Sequence, residues 1–144
     1  MCRKLPKIRQ NFLVFTLAIN WKKMYNRTSK TIREGKHMVS EFDETDSCLY
    51  IQITEEIDHH TTEKIRRKMD NEITRFMPRK VVFDFSKVSF MDSAGIGLLI
   101  GRYKLAKMLG GITEIKNTSK SIEKVLEMSG ITKIIPLTKN NKVS

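Results

Sequence analysis

Val81-Val82-Phe83-Asp84-Phe85 lies between two stretches of helical character, and it narrows what this chain can become. A short continuous apolar run marks a strand buried on both faces, the situation of a parallel sheet covered by helices. Upstream, apolar residues recur at Ile65, Met69, Ile73, Phe76 and Met77, a spacing that forms one stripe on a helix. The opposite face carries Glu63, Lys64, Arg66, Arg67, Lys68 and Asp70. Asp58 is a candidate N-cap for this helix, and Pro78 stops it. Downstream, a second helix is expected from about Ser93 to Leu109, ended by Gly110-Gly111. Ser119 caps a third, with Ile122, Val125 and Leu126 facing inward and Gly130 as its stop. Further strands are expected at Met38–Phe42 (an edge), Cys48–Thr54, Ile112–Lys116 and Lys133–Leu137. The order β-β-α-β-α-β-α-β predicts a single α/β domain. Its sheet is mixed but mostly parallel, of four to five strands, with helices packed on it. A length of 144 residues agrees with one domain.

The net charge of +11 suggests a nucleic-acid binder until its distribution is read. Residues 1–37 hold ten Lys/Arg and one acidic residue, Glu34; residues 38–144 hold 17 basic and 15 acidic residues. The basic character belongs to a leader, and the domain is nearly neutral. As a secretory signal the leader has a short apolar run, Phe12 to Ile19, with no small-x-small cleavage site after it. That run is also far too short to span a bilayer. As a basic arm for nucleic acid or an anionic membrane it has charge but no helical face or reading motif. A third reading treats it as non-native. Arg33-Glu34-Gly35 can be encoded by a purine-rich, AGGAGG-like ribosome-binding sequence, and Met38 follows after two intervening codons. Met38 is therefore expected to be the true start, an expectation that fails if the nucleotides over codons 33–35 lack such a run. The two cysteines, Cys2 and Cys48, match no metal spacing and supply no disulfide framework, which suits the reducing cytoplasm.

The segment that can carry a function is Ser89 to Gly101, between the buried strand and the second helix. Parallel sheets place their binding loops at the carboxyl ends of strands. Ser93 falls at the first helical turn, where a serine serves either as a simple N-cap or as a phosphoacceptor. A phosphate there would meet free N–H groups and the positive end of the helix dipole. Gly95, Gly97 and Gly101 are costly inside a helix, about 1 kcal/mol each relative to Ala. They fit either close packing or a low, smooth surface that a partner can approach. The Gly-x-Gly lacks both the dinucleotide and the P-loop spacing. A nucleophile elbow needs G-x-S-x-G, and position 91 is Met. His59 and His60 are adjacent, point differently and have no third ligand nearby, so no metal is expected. Arg102 and Lys104 read as a solvated helix face, and Asp84 as a residue that satisfies loop groups.

Phe90-Met91-Asp92-Ser93-Ala94-Gly95, followed by Gly97 and Gly101-Arg102-Tyr103-Lys104, resembles the phosphorylation loop and helix of the anti-sigma factor antagonists, the STAS domain family. Ile57-Asp58-His59-His60-Thr61 is similar to the segment before the first helix of the sporulation antagonist. Glu127-Met128-Ser129-Gly130 and Lys133-Ile134-Ile135 are similar to its third helix and last strand. The resemblance runs over about residues 38–137. It implies a non-enzymatic, cytoplasmic partner switch without cofactor or metal. The unphosphorylated form would bind an anti-sigma factor that is also a serine kinase, releasing the sporulation sigma factor. The kinase would phosphorylate Ser93, and a serine phosphatase would reverse it. By the same resemblance Asp58, His59, Asp92, Ser93, Ala94, Gly95, Gly97 and Gly101 lie on the partner-binding face, Asp92 touching the kinase or orienting the hydroxyl. No direct contact with nucleic acid or membrane is implied. The alternatives are an antagonist in a stress-response pathway, or a basic-arm nucleic-acid or membrane-surface protein resting on residues 1–37. Two departures stand out. Ala94 replaces a second serine, and Glu55 replaces a glycine in a turn where a positive φ would strain it.

Overall fold

The computed structural model describes residues 30–139. Residues 1–29 lie outside the described residues, and with them Cys2, the Phe12–Ile19 run and most of the basic leader; so do residues 140–144 of the polar tail. The sheet has six strands in the order β1-β2-β3-β4-β5-β6. These are β1 Lys30–Glu34, β2 Met38–Asp43, β3 Cys48–Ile53, β4 Lys80–Asp84, β5 Ile112–Lys116 and β6 Leu137–Thr138. β1, β2 and β3 pair antiparallel, and β3 through β6 pair parallel. The three helices are α1 Thr62–Phe76, α2 Ser93–Met108 and α3 Lys120–Ser129, each a crossover between successive parallel strands. Right-handed crossovers between strands that advance in one direction put all three helices on one face.

The register shows which face that is. Ser40, Ile51, Phe83 and Ile115 are aligned across four strands, as are Phe42, Leu49, Val81 and Thr113. All of these are buried, and they meet Ile65, Met69 and Ile73 of α1, Leu98, Leu99 and Ala106 of α2, and Ile122 and Leu126 of α3. The intervening row, Glu41-Tyr50-Val82-Glu114, lies on the opposite face. There Lys80 and Lys116 flank the buried Glu114 at 2.5 and 3.7 Å. Val81 to Phe85 is buried throughout, as the apolar run predicts.

Four expectations need correction. The edge of the sheet is β1, not Met38–Phe42. Thr31 and Arg33 of β1 flank Phe42 and Ser40, and Arg33 approaches the buried Glu72 at 3.4 Å. Strand pairing thus begins within the basic leader, at Lys30. Second, Lys133–Leu137 is not a strand. Gly130 takes φ 77° as the C-cap of α3, Ile131–Lys133 forms a 3₁₀ turn, and the strand shrinks to Leu137–Thr138. Ile134 and Ile135 donate back to Ile131 within this turn, and Pro136 has no N–H to give a ladder. Third, Met77 leaves the apolar stripe. A residue before proline is pushed out of the α region. Met77 leaves the right-handed helix as its left-handed C-cap, φ 42°, ψ 55°, with its N–H donating to Ile73 O, and is 61% exposed. Fourth, Arg102 is not solvated. It is buried between helices, with Nε 2.7 Å from Asp70 Oδ1 of α1, an ion pair whose angles fall short of a hydrogen bond.

Candidate functional site

Two loops meet at the carboxyl ends of β3 and β4. The Ile57 N–H donates to Phe90 O at 3.1 Å, and the Asp92 N–H donates to Ile57 O at 3.2 Å, a one-residue parallel bridge between Ile57 and Met91. Ser89 Oγ donates to Glu56 Oε1 at 3.2 Å beside it. Ile57 and Met91 are buried and anchor the bridge in the core. The pairing brings the segment containing Asp58 and His59 next to the segment containing Asp92 and Ser93, which the sequence separates by more than thirty positions. No pattern within either segment announces this clasp. Its only sequence signal is an apolar residue in each loop just before an acidic one, Ile57-Asp58 and Met91-Asp92.

Each loop is organised by its own aspartate. Asp92 is the N-cap of α2, its Oδ1 accepting from the Ala94 N–H at 2.9 Å. Ser93 is the first residue of the helix, so its hydroxyl is not the cap. Ser93 is exposed, and Ala94 beside it is half-buried. Asp58 is not the N-cap of α1, which is Thr61. Asp58 builds the turn before the helix instead. Its Oδ1 accepts from the N–H groups of His60 and Thr61, each at 2.8 Å, and its own N–H donates to Thr61 Oγ1 at 3.1 Å. The Thr61 N–H, with the Thr61 hydroxyl and the His60 N–H, holds the Asp58 carboxyl below the usual carboxylate range. His59 and His60 are exposed, with rings 6.2 Å apart and edge to face. Among the described residues no group of three His, Cys, Asp or Glu side chains is placed to hold a metal ion.

The glycines of α2 divide. A Cβ on Gly95 would lie 2.2 Å from Met91 Cγ and 3.1 Å from Ile57 Cγ2. Gly95 therefore lets the helix start close against the clasp. Gly97 and Gly101 would meet nothing within 4 Å. Packing does not require them, and they leave a low surface running away from Ser93. Phe90, three residues before Ser93, is 50% exposed. Glu55 is not strained, since among the described residues the non-glycine positions with positive φ are Ser47, Met77 and Asn117. It pairs with the buried His37, Oε2 to Nδ1 at 2.5 Å. Burial raises the half-buried Cys48 thiol, and it is a free cysteine.

The site is thus an exposed serine on the first turn of a helix capped by its neighbour, in a segment bridged to a second polar loop through Ile57 and Met91. Comparison with known proteins identifies the class. The model of the STAS domain matches residues 40–143. The chain belongs to the STAS domain family. This STAS domain is 36% identical over 92 residues to the anti-sigma F factor antagonist of Paenibacillus polymyxa, covering 64% of this chain and 79% of that protein. Among solved structures it is similar to the anti-sigma factor antagonist SpoIIAA in its unphosphorylated form. That match has a TM-score of 0.60 and 26% identity, covering 79% of this chain and 90% of the other. It is also similar to the Bacillus cell fate determinant SpoIIAA in the phosphorylated form, with a TM-score of 0.54 and 26% identity over 79% and 93% of the two chains. The single α/β domain expected from the residues thus holds, with six strands where four to five were expected.

Proposed function

We propose that this STAS domain is an anti-sigma factor antagonist whose binding state is set by phosphorylation of Ser93. Unphosphorylated, it binds an anti-sigma factor that is also a serine kinase and thereby frees a sporulation sigma factor. The kinase transfers a phosphate from ATP to the Ser93 hydroxyl and releases the product, and a serine phosphatase restores it. The domain acts in the cytoplasm as a binding switch, not as an enzyme, and needs no cofactor, metal, nucleic acid or membrane. The docking face comprises Asp58, His59, Asp92, Ser93, Ala94, Gly95, Gly97 and Gly101, with Gly95 serving it from beneath.

The observation that carries this reading is the position of Ser93: exposed at the first helical residue, with capping left to Asp92. A phosphoryl group adds about −1.5 to −2 charges. At a helix N-terminus that charge meets unpaired N–H groups and the positive dipole end, worth roughly 0.3–1 kcal/mol. The fold is therefore expected to survive phosphorylation. A partner surface that must be desolvated against Ser93 meets a double negative charge instead, and each mismatch of about 1.4 kcal/mol weakens binding tenfold. The similarity to an anti-sigma F factor antagonist favours the sporulation pathway over a stress pathway.

Calorimetric titration of the anti-sigma kinase with the unphosphorylated and Ser93-phosphorylated chains tests the switch. The phosphorylated form is expected to bind more weakly by about tenfold or more, with an unchanged circular dichroism spectrum. Equal affinities would mean that Ser93 does not control binding.

A further inference from the structure

The shortened last strand leaves a groove that the Ser93 switch does not use. β6 pairs only with Ile115 and Lys116, so among the described residues Ile112, Thr113 and Glu114 have no strand on that side of β5. The cavity beside this bare edge has a volume of about 350 Å³ and is lined by Tyr103 and Lys107 of α2, Gly111 to Glu114, and Ile134 and Pro136. Its walls are mainly apolar. Ile112 is 62% exposed and Ile134 46% exposed, both unusual for isoleucine in a small domain.

One buried polar group in the groove has no hydrogen-bond partner, and one cation there has no counter-charge among the described residues. Thr113 is 4% exposed and its Oγ1 accepts and donates no hydrogen bond. A buried hydroxyl normally has a partner, and leaving one unsatisfied is costly. Lys107 lies over the Tyr103 ring, Nζ 5.8 Å from the centroid, and makes no ion pair among the described residues. The groove's one carboxylate, Glu114, is already compensated by Lys80 at 2.5 Å and Lys116 at 3.7 Å. The uncompensated charge is therefore a single cation, next to an apolar surface and a hydroxyl with nothing to bond.

We propose that this groove binds a small amphipathic carboxylate, with its apolar body against Ile112, Ile134 and Pro136 and its carboxylate held by Lys107 and Thr113. The ammonium group pairs with the anion, and the Thr113 hydroxyl, turned about its Cα–Cβ bond into the groove, donates to it. A bare edge of three residues, against a usual strand of about 5–6, favours a small molecule over an added peptide strand. One charge compensates a monoanion. The site lies toward the far end of α2 from Ser93, fourteen residues and therefore about 21 Å along the helix axis, so it stands or falls independently of the phosphorylation switch.

The test titrates the full ¹⁵N-labelled chain with octanoate and, separately, with 1-octanol, following amide shifts. Octanoate is expected to give saturable shifts confined to residues around Lys107, Gly111–Glu114 and Ile134. Lys107→Met and Thr113→Val are each expected to weaken it about tenfold, the size of one hydrogen bond to a charged group. Octanol should bind more weakly than octanoate. Thermal melting supplies a readout that needs no ligand: Thr113→Val removes an unpaired buried hydroxyl and is expected to raise the melting temperature. Shifts that do not saturate, that appear elsewhere, or that persist undiminished in both variants would overturn the proposal. Octanol binding as tightly as octanoate would overturn the carboxylate assignment. A lower melting temperature for Thr113→Val would show that the hydroxyl has a partner already.

Discussion

Asp92, not Ser93, takes the Ala94 N–H, and this one-residue difference determines what the serine hydroxyl is available for. From the sequence, Ser93 fits a cap as well as it fits a phosphoacceptor; the backbone geometry gives capping to its neighbour. The glycines separate in the same way. Gly95→Ala would drive a methyl into Met91 and Ile57 and is expected to cost about 1–3 kcal/mol in chemical denaturation, the usual range for overpacking. Gly97→Ala meets open space and is expected to gain up to about 1 kcal/mol of helix propensity, while weakening binding to the kinase if this surface docks. A stabilised variant with unchanged affinity would remove Gly97 from the docking face. Asp58 makes a prediction in pH. Its folded pKa is depressed, chiefly by the Thr61 N–H. Its contribution to stability is thus present above the unfolded carboxyl value, about 3.9, and lost as pH falls through the lower folded value. The melting temperature of the wild type minus that of Asp58→Asn should accordingly narrow as the buffer is taken from neutral to below about pH 4. A difference constant in pH would show that the charged form carries no special weight.

At the level of elements, the interior was more legible than the edges. The Val81–Phe85 run, the Ile65-Met69-Ile73 stripe and the caps at Ser119 and Gly130 are dictated by local pattern, and each appears where that pattern puts it. What pattern does not carry is the choice of partner. Ile134 and Ile135 look like a strand, but a 3₁₀ turn after Gly130 satisfies them locally. Arg102 looks solvated because Asp70, its counter-charge, belongs to another helix. The polar strand β1, Lys-Thr-Ile-Arg-Glu, has no reason to be extended except the neighbouring β2. The same holds at the site: the Ser93 segment was legible, whereas the Ile57–Met91 clasp that joins it to Asp58 depends on tertiary pairing. β1 is an edge strand with mostly exposed side chains. A chain beginning at Met38 is therefore expected to fold and to be phosphorylated like the full chain. Its melting temperature should be lower, because Arg33 no longer approaches Glu72 and His37 no longer pairs with Glu55. Failure of that shorter chain to fold would make β1 an integral part of the domain and argue against a start at Met38.

For the whole molecule, the charge asymmetry is informative. Residues 38–144 are nearly neutral, and the excess of basic residues lies before them, so net charge gives little reason to assign the body of the fold to nucleic acid. No helix among the described residues is long and apolar enough to cross a membrane. What the fold offers is a sheet-and-helix body with an exposed serine, Ser93, at the junction of two loops joined by the Ile57–Met91 bridge, and the proposed switch rests on that serine. The most direct test is to incubate the full chain with the anti-sigma kinase of its own genome and ATP, then measure intact mass and map the modified residue, with Ser93→Ala as the control. The account predicts a single added phosphate, located on Ser93 and absent from the variant. A chain left unmodified by a kinase that is active on another antagonist, or a phosphate that persists in Ser93→Ala, would contradict it.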